Sequence, residues 1–173
     1  MPKAIIICGT PGAGKTTYGK HLAAAIKATL LDIDTATERL VKVGLTAAGH
    51  SPDDRDSDYF KRTYREPIYQ ALFDIARDNL AFHDVVITGP FTREIQQPDW
   101  PEQLSTALGC KVEVHYVHCP REIRQQRLAA RGDDRDLAKL QDWDRYIEYY
   151  GEEHPPVFEH VLVDGTGVSG NDV

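Results

Sequence analysis

Residues 9–16 read Gly9-Thr10-Pro11-Gly12-Ala13-Gly14-Lys15-Thr16, and few folds accommodate that octet. Its glycines let the backbone curl until several N–H groups face one point, and a helix that follows adds its positive dipole end. The natural occupant of such a cradle is a phosphate of a nucleoside triphosphate. Lys15 can reach the β- and γ-phosphates, the Thr16 hydroxyl can ligate Mg²⁺, and Thr17 stands beside them. The flanks agree. Ala4 to Cys8 is a short β-branched apolar run suited to a strand buried on both faces. Beyond the loop, Tyr18, Leu22, Ala25 and Ile26 recur at helical spacing, with Lys20 and Lys27 on other faces.

The same alternation continues. Strand-like runs at 3–8, 29–33, 85–88, 111–118 and 161–163 are separated by helical patterns at 15–27, 60–82, 121–131 and 136–150. This predicts a single α/β domain over residues 1–173, with a parallel sheet covered by helices on both faces. Ligands of such sheets gather at the carboxyl ends of the strands. The Gly165 to Asn171 tail is turn-rich and is expected to fray.

Composition excludes several functions. No apolar run approaches the ~20 residues that span a bilayer, and the first strand begins too near Met1 for a signal peptide. The expected location is the cytoplasm, away from membranes. Cys8, Cys110 and Cys119 lack metal-ligand spacing, and Cys8 and Cys119 end core strands, so reduced, buried thiols are expected there. The formal net charge of −7 argues against binding long duplex nucleic acid. It leaves room for a small anion held by a local arginine cluster. The oligomeric state stays open.

Asp32-Ile33-Asp34 ends the second strand. Period-2 geometry aims both carboxylates the same way, toward the phosphate site. One can hold a Mg²⁺-bound water while the other takes a proton from an attacking hydroxyl. Alternatively Asp34 caps the helix beginning at Thr35. Arg124, Arg127 and Arg131 share a helical face, Gly132-Asp133-Asp134 breaks the helix, and Arg135 follows. A hinged turn with arginines on both sides suits a lid closing over a transferring phosphoryl group, while a solvated, salt-bridged basic helix is the plainer reading. Arg55, Arg62, Arg65 and Arg93 are candidates for gripping an anionic acceptor. Trp143, Tyr146, Tyr149 and Tyr150 suit core packing, and His115 and His118 read as structural residues.

The octet with Leu30-Leu31-Asp32-Ile33-Asp34 resembles the start of P-loop small-molecule kinases of the shikimate and gluconate kinase branch. It also resembles the wider kinase-like ATPase group that includes zeta toxins and polynucleotide 5′-kinases. The resemblance implies a three-layer P-loop NTPase fold with a five-stranded parallel sheet in the order 2-3-1-4-5. It implies an acceptor-side segment at about 41–66 and an arginine-bearing lid at about 127–139. By the same resemblance ATP is the donor, Asp34 the acceptor-side base, and Thr16 and Asp32 the metal-side residues. Arg127-Leu128-Ala129-Ala130-Arg131 matches the helix leading into such lids. Arg127 would then lie near the adenine or phosphates, and Arg131 or Arg135 near the transferred phosphoryl. Gly165 and Thr166 would lie against the base. The acceptor would be a small hydroxyl-bearing molecule, which can be anionic. Shikimate kinases follow their third strand with a glycine triplet that holds the substrate, whereas this chain has Gly89-Pro90-Phe91. A nucleoside, nucleotide or polynucleotide-end kinase is the nearest rival, and toxin or antibiotic-modifying kinases share the same parts. A nucleotide-dependent switch that hydrolyses slowly through a partner is a rival of another class. Against a mechanical NTPase, no Asp or Glu follows the third strand's apolar run.

Overall fold

The computed structural model describes residues 1–148 and 153–168. Strands β1 (Lys3–Cys8), β2 (Thr29–Asp32), β3 (Val85–Thr88), β4 (Lys111–His118) and β5 (Val161–Asp164) form one parallel sheet in the order β2-β3-β1-β4-β5. The expected strand order and strand positions hold. β1 takes the centre because alternate residues are apolar on both of its faces. Ala4, Ile6 and Cys8 pack against α4 (Arg65–Asn79) and α5 (Trp100–Leu108), through Tyr69, Leu72, Ala76, Trp100 and Leu104. Ile5 and Ile7 face the other way, toward Leu22 and Ala23 of α1 (Lys15–Ile26). Each such buried aliphatic contributes about 1.5–3 kcal/mol relative to leaving it in water.

Helix α1 lies close on the sheet, and Gly19 permits it. A Cβ at Gly19 would stand 2.5 Å from the Thr88 methyl, so any side chain there would push α1 off β3. Because the phosphate loop runs straight from β1 into α1, that approach also fixes where the loop sits.

The helices depart from expectation in instructive places. The pattern at 60–82 divides into α3 (Asp58–Thr63), capped by the Ser57 hydroxyl, and α4, with the break at Tyr64. Restarting there puts Pro67 in the first turn of α4, where its missing N–H costs nothing. The pattern at 136–150 is likewise interrupted. A 3-10 turn (Asp134–Asp136) leads to α7 (Leu137–Gln141) and α8 (Trp143–Tyr146), split at Asp142, whose carboxylate accepts from the Arg145 N–H at 3.3 Å. Tyr149, Tyr150 and the Ser169–Asn171 part of the tail lie outside the described residues. Trp143 is buried with Leu128 and Ile147 in a small third core, as expected of packing aromatics.

Helix α2 (Ile33–Ala47) starts earlier than expected and corrects the geometry of the two aspartates. β2 stops at Asp32, so strand alternation does not govern Asp34, which lies in the first turn of α2. The cap is also the other residue: Asp32, not Asp34, accepts from the Thr35 N–H at 2.9 Å. Cys8 and Cys119 are buried and free, and Cys110 is half-buried. Burial pushes the Cys8 thiol up to about 12. Among the described residues, no helix is long and apolar enough to cross a membrane.

Candidate active site

The loop between β1 and α1 has the geometry that the octet demands. Gly9, Gly12 and Gly14 all sit at positive φ, at 142°, 80° and 103°. Gly14 occupies the N-cap of α1 and supplies no side-chain cap, so the first-turn N–H groups face a ligand position. Lys15 Nζ donates to the Thr10 carbonyl at 2.8 Å. Burial pushes the Lys15 ammonium down to about 8; Asp34 is the strongest of the opposing charges, and Arg131 adds to the depression. Those influences place Asp34, Arg131 and Asp32 within electrostatic reach of Lys15, at the carboxyl end of the sheet.

Asp32 is the most fully engaged carboxylate of the site. Its Oδ2 accepts from the Thr16 hydroxyl at 2.8 Å and from the buried Thr88 hydroxyl at 2.6 Å. Its Oδ1 accepts from the Thr35 N–H and the Thr35 hydroxyl. Burial by itself would raise this carboxyl. The hydrogen bonds from Thr88, Thr35 and Thr16 outweigh it and hold Asp32 below the usual carboxylate range. Oxygen donors from Thr16 and a charged Asp32, side by side at the loop, fit a hard divalent cation such as Mg²⁺. Thr88, at the end of β3, was not singled out from the sequence. A polar residue closing the apolar run Val85-Val86-Ile87 was the available signal.

Three arginines of α6 (Arg121–Arg131) each meet a different partner. Arg124 is 1% exposed, its Nε 3.7 Å from Glu153 Oε1 and its guanidinium 6.0 Å from the Trp143 ring. Arg127 donates through Nη1 to the Ala13 carbonyl at 3.3 Å, and through Nη2 to Thr166 at 3.2 Å and Val168 at 3.1 Å. It therefore joins the phosphate loop to the turn after β5. Gly165 of that turn is buried against the loop, since a Cβ there would stand 2.3 Å from the Ala13 oxygen. Arg131 pairs through Nε and Nη2 with Asp136, a carboxylate 1% exposed that Lys139 also approaches at 3.3 Å. The Gly132 break appears as expected, with φ 64°. The side chain of Arg135 lies outside the described residues.

On the acceptor side the arginines hold neighbours of their own. Arg55 donates to the Pro52 carbonyl at 3.4 Å and lies 5.3 Å from the Phe60 ring. Arg62 is exposed and donates to the Asp58 carbonyl at 3.3 Å. Arg65 pairs with Glu94 at 2.7 Å over the Tyr69 ring, and the charge of the exposed Arg93 also acts on Tyr69. Phe91, where a shikimate kinase would have glycine, is fully buried at φ 46° and stacks on Tyr69 with centroids 4.8 Å apart. Its ring also covers Gly89. A bulky residue held at positive φ marks local strain at the end of β3. The charge of Asp56 acts on Tyr146 of α8.

The two histidines have clear partners. The Tyr18 hydroxyl lies 2.8 Å from His115 Nδ1, and His115 Nε2 lies 2.9 Å from Glu113. His118 Nδ1 lies 3.6 Å from Glu153. Glu153 had no sequence signal, yet it accepts from the Thr10 hydroxyl of the phosphate loop at 3.1 Å and from the Tyr116 hydroxyl.

The profile of the AAA domain family AAA_33 matches residues 5–152, nearly the whole of this assembly. The chain belongs to the AAA_33 family. Within reach of this AAA_33 domain is a shikimate kinase of Bacillus cereus (strain G9842), 26% identical over 171 residues, which cover 96% of this chain and 91% of that protein. A shikimate kinase of Mycobacterium ulcerans (strain Agy99) is 38% identical over 73 residues, 42% of this chain and 38% of its own length. The matched part of the mycobacterial enzyme is thus well under half of it. A crystal structure of a kinase candidate from Chloroflexus aurantiacus j-10-fl superimposes with a TM-score of 0.67 at 22% identity, covering 96% of this chain and 89% of that one. At that identity the likeness is one of fold, and it places the AAA_33 domain in the P-loop architecture.

Proposed function

We propose that this AAA_33 domain transfers the γ-phosphoryl group of ATP to a hydroxyl of a small molecule. The observation that carries the reading is the buried Lys15 of the phosphate loop under the charges of Asp34, Arg131 and Asp32, with Thr16 bonded to Asp32. Shikimate kinases among the relatives support the same class of reaction.

Each residue has a physical task in this reading. The N–H groups of Gly12 to Thr16 and the Lys15 ammonium bind the phosphates and offset their charge. Thr16, backed by Asp32, would hold Mg²⁺, which supplies charge neutralisation at the phosphates. Asp34, in the first turn of α2, orients the acceptor hydroxyl and takes its proton. Arg131 approaches the transferring group from the lid, with Arg135 as a second candidate, and Arg127 keeps the loop registered against Gly165 and Thr166. Arg55, Arg62 and Arg93 are the candidate contacts for an anionic acceptor. The buried Phe91 ring against Gly89 supports an acceptor other than shikimate, since the Gly89 N–H already donates to the Ile7 carbonyl at 3.1 Å and a bulky ring replaces the third glycine.

The test is an ADP-release screen over sugars, hydroxy acids, nucleosides and aminoglycosides with Mg²⁺ and ATP. Wild type and Asp34→Asn are run side by side. One class is expected to stimulate wild-type turnover. Asp34→Asn should lower that turnover ~10²–10⁴-fold while keeping Mg·ATP affinity. If no class stimulates ADP release, the slow hydrolase or switch is the better reading. If Asp34→Asn loses Mg·nucleotide affinity instead, the roles of Asp32 and Asp34 must be exchanged.

A further inference from the structure

Thr10 is a junction between the phosphate loop and the root of the lid helix. Its carbonyl accepts from Lys15 Nζ at 2.8 Å, and its hydroxyl donates to Glu153 Oε1 at 3.1 Å. The same Glu153 oxygen lies 3.7 Å from Arg124 Nε, while Oε2 accepts from Tyr116 and stands 3.6 Å from His118 Nδ1. Arg124 sits in the first turns of α6, whose later residues are Arg127 and Arg131. The loop touches α6 at the same place, because a Cβ on Gly12 would stand 2.9 Å from the Arg124 carbonyl oxygen. One carboxylate therefore gathers a hydroxyl from the loop, a hydroxyl and an imidazole from β4, and a guanidinium from the lid helix.

We infer that Glu153 is a positioning residue for nucleotide binding, acting through Thr10 to hold Lys15 and the loop in their phosphate-ready shape and to tie that shape to α6. A loop that must present several N–H groups and an ammonium to one triphosphate gains affinity by being ordered before the ligand arrives. The Thr10–Glu153 bond does this from outside the loop. Glu153 acts through its contacts with Thr10 and Arg124. The inference rests on the reading of the loop as a triphosphate site.

The experiment is a double-mutant cycle on the intact chain, read as the affinity for Mg·AMPPNP by calorimetry, with thermal melting alongside. Thr10→Val and Glu153→Ala should each weaken binding roughly ten-fold, the worth of one charge-assisted hydrogen bond. The double variant should be no more than about two-fold weaker than either. Thr10→Ser, which restores the donor, should recover most of what Thr10→Val loses. A merely structural Glu153 would lower the melting temperature without any coupling to Thr10 in affinity. Additive losses of ~100-fold in the double variant overturn the inference, as does unchanged affinity in the single variants. Should Glu153→Ala fail to fold, equal affinities of Thr10→Ser and Thr10→Val overturn it. If wild type itself does not bind Mg·AMPPNP, the triphosphate reading falls and takes this one with it; if it binds and the cycle shows no coupling, only this one falls.

Discussion

In the proposed kinase reading, the donor and acceptor sides are organised on different principles. On the donor side the ligand-facing groups belong to backbone and to helix α1, whose positions are set by Gly19 against Thr88 and by the central strand. Asp32 there is pinned by four hydrogen bonds. On the acceptor side and in the lid the candidate groups are long guanidinium side chains. Arg65 holds Glu94, Arg131 holds Asp136, and Arg55 and Arg62 hold nearby carbonyls. These must exchange partners to grip a substrate. On that reading phosphate binding is preorganised, while acceptor binding is built on replaceable contacts, which is where relatives of one fold can diverge in substrate.

Removing the donor side's only ammonium within the loop should produce the largest effect. Lys15→Ala is expected to lower phosphoryl transfer by at least ~10³-fold, measured as acceptor-stimulated ADP release. Turnover within ten-fold of wild type would break the comparison at its stronger end.

Next comes the packing that sets the loop. Gly19→Ala puts a methyl 2.5 Å from the Thr88 side chain, which itself holds Asp32. A loss of about 1–3 kcal/mol in denaturant unfolding, with weaker Mg·nucleotide binding, is expected. An unchanged unfolding midpoint would mean that α1 has slack and that the donor side is less rigid than described.

Proton linkage gives an intermediate effect. Burial holds Lys15 at about 8, and a bound triphosphate favours its charged form. Below pH 8 the ammonium is already charged and binding takes up no proton. Above it, binding must first protonate Lys15, so affinity should fall up to ~10-fold per pH unit. Calorimetry at pH 9 in two buffers of different ionisation heat should register uptake of about one proton. Equal heats would place Lys15 in water rather than in a buried loop.

The smallest effect belongs to the acceptor side. Glu94→Gln releases Arg65 from a half-buried pair and should cost only about 1 kcal/mol of stability. It should change acceptor KM while leaving Mg·ATP affinity alone. A shift in nucleotide affinity would show that the two sides are not separate.

Much of this was legible in the residues, and the reasons are specific. The octet, the apolar strands and the Gly132 break are local signals, because glycine permissiveness and strand alternation act within a few residues. The strand order followed from resemblance and holds in the sheet. Other features were hidden because they depend on where a chain element ends. Asp34 looked like a strand residue until β2 stopped at Asp32 and the cap moved with it. Pro67 displaced a helix boundary, and Asp142 split another by accepting from the Arg145 N–H.

By itself, then, the sequence determined the phosphate loop, the alternating α/β layers and the residue types available to a kinase. These rest on short-range sterics and hydrophobic period, which need no knowledge of distant contacts. Only the tertiary structure decided that Thr88 and Thr16 would meet on Asp32, and that Glu153 would reach Thr10. Each of those pairs joins segments far apart or differently turned in the chain. The packing of helices on the sheet sets their separation, and no local propensity encodes it.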